Sequence, residues 1–349
     1  MKISSTLSLV AIACALAACG GGGGDSGGSA PSASKPVPEI PKANYPMEIP
    51  SSNYADANRA QIFDIINKNR TTCGFSSIKQ NSLLDISAQG HASYLQANKT
   101  MGHTQISINP GFTGSDLLAR AKAAGYQPSV LGEIAGGGNS GSLFAGTSNS
   151  GIETPLNPAG RTYIRGLFAT VYHLAGAVSE WNEMGVGYSM SSNLTSIPEE
   201  TVFYSTAVVN FGVPPGSTAP MYGGGEIRSF PCDGITDVTP VFASETPNPY
   251  PSRDFNLSPM GHPVILTSGS GGEITVTSAS MTDVASGALV DTKIFNASDD
   301  MHKILTLDQA FVIPNHPLKP NTAYSVSVDG SSDGKSFRKV IRFTTGNQS

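Results

Sequence analysis

The chain has 349 residues, enough for about two domains, and its 39% hydrophobic content supports sizeable cores. Only 13% of residues are charged, about half the usual share, so Ser, Thr, Asn and Gly must carry the surface, a habit commoner outside the cytosol. With a net charge of −5 and no basic cluster, nucleic-acid binding is excluded, because it needs Lys and Arg gathered on one face to displace counterions.

The N-terminus reads as an export signal: Lys2, then an apolar run from Leu7 to Ala18. That run is shorter than the roughly 20 residues a permanent membrane span needs. It ends in Leu16-Ala17-Ala18-Cys19-Gly20, which resembles the lipobox of bacterial lipoproteins. The resemblance implies a signal peptide over 1–19, Cys19 as the lipidated mature N-terminus, and attachment to the membrane through that anchor. It also implies a place in the bacterial cell envelope, with Gly20 after the cysteine favouring the outer membrane. An ordinary signal peptide with a chance cysteine is the alternative. Residues 20–50, rich in Gly, Ser, Ala and Pro, form a linker with too little to bury to order itself. Its Gly24-Asp25-Ser26-Gly27-Gly28 matches the string around a serine-protease nucleophile. A flexible tether offers no frame for a base, so the match is coincidence.

Cys14 leaves with the signal and Cys19 carries lipid, which leaves Cys73 and Cys232. No Cys/His metal spacing is present, and in an oxidising compartment one pair is most simply a disulfide. It would close a long loop worth about 5 kcal/mol in the chain-entropy model. Two free buried thiols are the alternative.

A helix is predicted over 53–69, with Ala60, Phe63 and Ile66 on one face, and a second over 82–97 through Leu84, Ala88, His91 or Ala92, and Leu95. A third, short helix covers 115–124 and ends at Gly125. Residues 131–160, rich in Gly, Ser and Asn, read as a long loop, and 161–181 as mixed helix. Two strands follow at 185–188 and 201–210; the second has apolar residues at both parities, so both its faces should be covered. Past the stiff Pro247-Asn248-Pro249-Tyr250-Pro251 connector, six short strands are predicted at 264–267, 273–278, 290–294, 310–313, 323–328 and 338–344.

Leu84, Ala88 and His91-Ala92 are followed in order by Met101-Gly102-His103, Ala124-Gly125-Tyr126 and Gly132-Glu133-Ile134. Phe168 to His173 and Gly185-Val186-Gly187-Tyr188 complete the series. This ordered set, over Asn53 to Val213, resembles the CAP superfamily (cysteine-rich secretory proteins, antigen 5 and plant pathogenesis-related 1 proteins). The last hundred residues, through Leu318-Lys319-Pro320-Asn321-Thr322-Ala323-Tyr324 and the closing Phe343-Thr344-Thr345, resemble bacterial Ig-like domains. The fold class implied is α+β: a CAP-like α-β-α sandwich over 51–235, then a small all-β Ig-like sandwich over 236–349.

In the CAP family a central cleft gathers two His and two Glu, and some members bind a divalent metal there. The positions that match are His103, Glu133 and His173, a set suited to zinc or another divalent metal with one coordination position open. An open position would support hydrolysis. Three departures stand out: 161–172 holds no acid where the second Glu is expected, Ile134 replaces an Asn, and Leu174 follows His173. Structural readings compete at each place. His103 would cap a helix, Glu133 would brace loop amides, and His173 would be a satisfied core histidine; His91 is read as structural. His262, His302 and His316 are read as surface residues. The expected function is a lipid-anchored, non-enzymatic binding module for a metal, a small or lipidic ligand, or a protein partner. The alternatives are a metal-dependent hydrolase using the same cleft and an envelope-structural or adhesion protein.

Overall fold

The structure, a computed structural model, describes residues 46–144, 160–194, 200–223, 226–242 and 244–347. The signal peptide, Cys19 and nearly all of the expected linker lie outside these residues, as does the unit Met1–Lys42; Ala43–Ser349 forms one compact unit. The chain is α+β.

Helix α1 (Ala57–Thr72) starts where the Asp56 carboxylate accepts the Arg59 N–H, and it buries Ile62, Phe63 and Ile66. Strand β1 (Lys79–Gln80) leads into α2 (Ser82–Asn98), capped by Asn81 and buried along Leu84, Ala88, His91, Ala92 and Leu95. Then come α3 (Leu117–Ala123), β2 (Val130–Phe144), α4 (Gly160–Phe168), α5 (Tyr172–Val178), β3 (Glu183–Leu194) and β4 (Glu200–Val213). The four strands form one sheet in the order β1-β3-β4-β2, so β4 lies inside it with both faces covered, as its sequence requires.

The sheet is covered on both sides. Ala135 and Val208 pack with Ala88, Ala92, Tyr94 and Leu95 of α2. Their chain neighbours Ile134 and Val209 face the opposite way, into a core shared with α1, α4 and α5. The Gly185-Val186-Gly187 run explains how α2 lies so close. A Cβ on Gly185 would come within 2.1 Å of the Leu84 carbonyl carbon, and one on Gly187 within 2.2 Å of the Ala88 oxygen. Val186 between them enters the other core.

The long loop expected over 131–160 is, as far as residue 144, strand β2, antiparallel to β4 along its whole length. Its glycines hid it. They are there because the neighbours crowd in: a Cβ at Gly136 would meet Leu167 at 3.0 Å, and one at Gly137 the Ser205 oxygen at 2.7 Å.

The second half contains β5 (Ile227–Phe230), β6 (Val241–Phe242), β7 (Met260–Gly261), β8 (Val264–Ser268), β9 (Ile274–Asp283) and β10 (Leu289–Val290). It continues with β11 (Thr292–Asn296), β12 (Gln309–Pro314), β13 (Ala323–Ser332) and β14 (Lys335–Thr344). All six predicted strands are present. With β5, and with the predicted 290–294 strand divided between β10 and β11, they form two four-stranded antiparallel sheets, β10-β9-β13-β14 and β11-β12-β8-β5, while β6 and β7 pair separately.

The second of these sheets is buried on both faces. Val264, Leu266 and Val312 enter a core with Val326, Val328 and Ile341. Ile265, Phe311 and Ile313 point the other way, into the core that holds Phe168, Leu174 and Phe230. This corrects the expected boundary at 235/236. Strand β5, before that boundary, pairs with β8 after it, and the two halves share a core.

Cys73, at the end of α1, is joined to Cys232, just past β5, with Cα atoms 5.3 Å apart and 159 positions between them. Replacing both with Ser should lower the unfolding free energy by about 5 kcal/mol, read as an earlier denaturant midpoint. A thiol assay on denatured, unreduced protein should find neither sulfur free. Two reactive thiols, or an unchanged midpoint after reduction, would contradict the bond.

Candidate functional site

Glu133 sits on β2 directly opposite Asn210 of β4, and its side chain is 3% exposed. Its carboxylate is fully occupied. Arg120 Nη2 donates to both oxygens at 2.8 Å, Asn210 Nδ2 to Oε2 at 2.7 Å, and His103 Nδ1 to Oε1 at 2.9 Å. Burial alone would raise the carboxyl's pKa. The His103 hydrogen bond and the Arg120 charge outweigh it and hold the pKa below the usual value. Arg120 also donates from Nη1 to the His103 carbonyl at 2.9 Å, so one guanidinium fixes both the carboxylate and the backbone of the residue that the carboxylate orients.

His91 lies beneath this group and is fully buried. Its Nε2 bonds the Gly102 carbonyl at 3.0 Å, and its Nδ1 accepts from Gln105 at 3.0 Å. Burial pushes its pKa below the ordinary imidazole value while Glu133 pulls the other way. Both nitrogens are used, so His91 braces the turn that carries His103.

His173 lies near the start of α5 and is oriented by a residue from the second half. Glu245 Oε1 is 2.7 Å from His173 Nδ1. The same carboxylate accepts the N–H groups of Val171, Tyr172 and His173 at 2.9, 2.9 and 3.0 Å, closing the first turn of a helix that has no cap of its own. Thr170 Oγ1, 3.0 Å from the same Nδ1, gives its own proton to the Leu167 carbonyl. The shared proton is therefore on Nδ1, and Nε2 carries the lone pair.

His103 reaches the same state by the same logic, since a carboxylate only accepts. The two rings are 6.5 Å apart, centroid to centroid. Both line one cleft of about 750 Å³, whose wall is mostly apolar and includes Met101, Tyr163, Leu167 and Val241. His103 is thus held at Nδ1 by the buried Glu133 carboxylate, and His173 donates from Nδ1 to Thr170 Oγ1 with the buried Glu245 carboxylate 2.7 Å away; neither ring has a partner at Nε2 among the described residues.

His103, Glu133 and His173 are brought to one place, but not as three metal ligands. Among the described residues no three His, Cys, Asp or Glu side chains are arranged to hold a metal ion. Glu133 serves as an orienting acceptor, because Arg120 and Asn210 take the oxygens a metal would need. Two rings on one tetrahedral zinc, with Zn–N ~2.1 Å, have centroids about 5 Å apart, so the pair at 6.5 Å is spaced for a bridging water or ligand group and would have to close to share an ion.

Sequence reasoning missed Arg120, Asn210 and Glu245. Arg120 had no signal in the sequence: that α3 buries an arginine while its neighbour Leu118 is 46% exposed is seen only in the folded chain. Glu245 had none either. His262, expected at the surface, is 1% exposed, and His302 is half-buried on the Asn248 carbonyl. Asp300 is committed to the fold: the Tyr172 hydroxyl and the N–H groups of His302, Ile304 and Leu305 all donate to it.

No known family profile matches the chain, and no curated protein does. Among solved structures, a DUF4426 family protein from Pseudomonas aeruginosa is similar at 12% identity with a TM-score of 0.26. The match covers 37% of this chain and 95% of that one. So slight a likeness carries no argument about fold or function. No helix among the described residues is long and apolar enough to cross a membrane.

Removing one member of the Glu133–Arg120 pair should cost about 3–5 kcal/mol, because the other is left charged and buried. E133A and R120M should each show this in denaturant unfolding at neutral pH, and an E133L/R120M double variant should recover much of the loss. The Glu133 pKa is depressed on folding, so its contribution is complete above the ordinary value of 4.5 and disappears as pH falls through the lower folded value. The gap between wild type and E133Q should close over that acid range. A gap that does not depend on pH would contradict the pairing.

Proposed function

We propose that the chain is an exported bacterial lipoprotein, anchored in the cell envelope through Cys19. In this reading a CAP-like α-β-α layer and an Ig-like β-sandwich together build a ligand-binding cleft, and the protein acts by binding. The observation that carries the proposal is the pair of imidazoles, each oriented by a buried carboxylate and each presenting Nε2 to one mostly apolar cleft. Such a site takes a ligand with a polar group at the imidazoles and an apolar body along Met101, Tyr163 and Leu167, so a lipidic or other small amphipathic molecule suits it.

A divalent metal would draw the two Nε2 atoms together, with Glu133 and Glu245 in the outer shell that orients histidine ligands, but the rings would have to close from their 6.5 Å separation. When bound, such an ion would polarise a water or an oxygen of the ligand. The hydrolase alternative draws on this same feature. It ranks second because both carboxylates are already committed, Glu133 to Arg120 and Asn210, Glu245 to three backbone amides. Neither is left to trade protons with a substrate.

Gly166 provides a clean test. It lines the cleft from α4, and a Cβ built there meets nothing within 4 Å. G166F should keep or slightly raise stability, since glycine is a poor helix residue, while filling the cleft. A lipid-extract pull-down with mass spectrometry should recover a ligand on wild type that is absent from G166F. Zinc titrated calorimetrically should bind one per chain and be lost in H103A and H173A. No zinc heat, together with identical pull-downs from wild type and G166F, would refute the binding role.

A further inference from the structure

The turn that carries His103 continues into a loop that the cleft does not use. Gln105 closes the neck of this loop: its N–H donates to the Ser115 carbonyl at 2.9 Å, and its Oε1 accepts the Thr113 N–H at 2.7 Å. Residues 106–112 project from that neck with their ends held together. The underside of the loop is polar and engaged with α2. The Tyr94 hydroxyl accepts the Ile106 N–H at 2.8 Å and Asn109 Nδ2 at 3.2 Å, and the Pro110 carbonyl accepts Asn98 Nδ2 at 3.0 Å. The Asn109 N–H closes a turn on the Ile106 carbonyl at 3.1 Å.

The outer side has the opposite character. Ile108 is 89% exposed, Ile106 61% and Phe112 40%, three large apolar side chains within seven residues. From Thr100 to Ser115 there is no Lys, Arg, Asp or Glu. Exposed apolar residues are ordinary one at a time; gathered on an uncharged loop, they mark a surface that something covers. Residues 300–308 make the contrast: Met301, Ile304 and Leu307 are exposed there too, but Lys303 and Asp308 stand among them and keep that segment in water.

We propose that the 106–112 loop docks on a lipid bilayer, burying Ile106, Ile108 and Phe112 among the headgroups and upper acyl chains. Two observations favour a bilayer over a protein partner. About 27 residues separate Cys19, the anchor in the function proposed above, from Pro46, where the described chain begins with its carbonyl on the Ser77 N–H. A Gly/Ser-type linker of that length spans about 29 Å root mean square, so an anchored chain holds its folded part beside the membrane. The loop also meets polar groups of Ile106, Asn109 and Pro110 from within, as an apolar interface demands of any segment that enters it. Docking strength then follows the apolar area covered, with no electrostatic share. The inference rests on the anchored, lipid-binding reading and deepens it: the docked loop lies three positions from His103, so the cleft draws its ligand from the membrane it stands on.

The test uses Ala43–Ser349, the compact unit with both cores and the disulfide, so that no acyl anchor contributes. It is floated with vesicles of phosphatidylcholine and, separately, of phosphatidylethanolamine with phosphatidylglycerol. It should rise with both, and raising the salt about tenfold should not release it. I106S/I108S/F112S, changed only at exposed positions, should unfold at the wild-type denaturant midpoint and partition about tenfold more weakly or less. In I108W, brominated acyl chains should quench the new indole, while Trp181, 7% exposed, is spared in wild type. The inference is overturned if wild type stays behind with both vesicle types, if the triple variant floats equally well, or if the I108W indole is not quenched. Flotation confined to the anionic vesicles and reversed by salt overturns it as well. So does a wild-type dimer that the triple variant dissolves, with no flotation. The earlier reading fails separately: an unacylated Cys19 refutes the anchor, and identical lipid-extract pull-downs from wild type and G166F refute the cleft's role. Neither result changes the flotation of Ala43–Ser349.

Discussion

A buried carboxylate organises the first half of this protein. Glu133 stands on the edge strand β2 with its side chain buried, where an unpaired charge would be intolerable, and four hydrogen bonds from Arg120, Asn210 and His103 converge on it. Because Arg120 grips both Glu133 and the His103 carbonyl, the position of α3 and the turn that bears His103 are set together. His91 and Gln105 extend the network inward and fix the same turn from below. Orientation of one surface imidazole is thus coupled to the integrity of a core. Losing either charge would loosen the cleft wall as well as weaken the fold.

The second half does for His173 what the first does for His103. Glu245 reaches across from the segment after β6, closes the first turn of α5 and orients the ring in one stroke. That reach is possible because the sheet β11-β12-β8-β5 has no solvent face toward the helices: Ile265, Phe311 and Ile313 belong to the same core as Phe168 and Leu174. The two halves are one folding unit with one cleft, whose second carboxylate arrives from far along the chain.

Much of this was legible in the sequence, for identifiable reasons. Period-two and three-to-four spacing located α1, α2, β3, β4 and the six C-terminal strands, because each buries one face or both in a regular way. His103, Glu133 and His173 were found through an ordered resemblance, and they do meet. Strand β2 was not legible: it is stabilised by pairing with β4, and its glycines answer the crowding of Leu167 and Ser205, which only the folded chain reveals. Arg120 and Glu245 were hidden for a related reason. Their roles come from what they touch across 13 and about 72 positions of sequence, and no local pattern encodes that. The acid beside His173 comes from Glu245, about 72 positions further on, which composition could not single out.

The most direct measurement is the nitrogen-15 NMR spectrum of the His103 and His173 side chains at a pH where both rings are neutral. The account predicts the proton on Nδ1 and a deprotonated Nε2 in both, with the His173 pattern collapsing toward a tautomer mixture in E245A while His103 is unchanged. A wild-type His173 that already carries its proton on Nε2, or that is indifferent to Glu245, would contradict the claim that two distant carboxylates aim two imidazoles into one cleft.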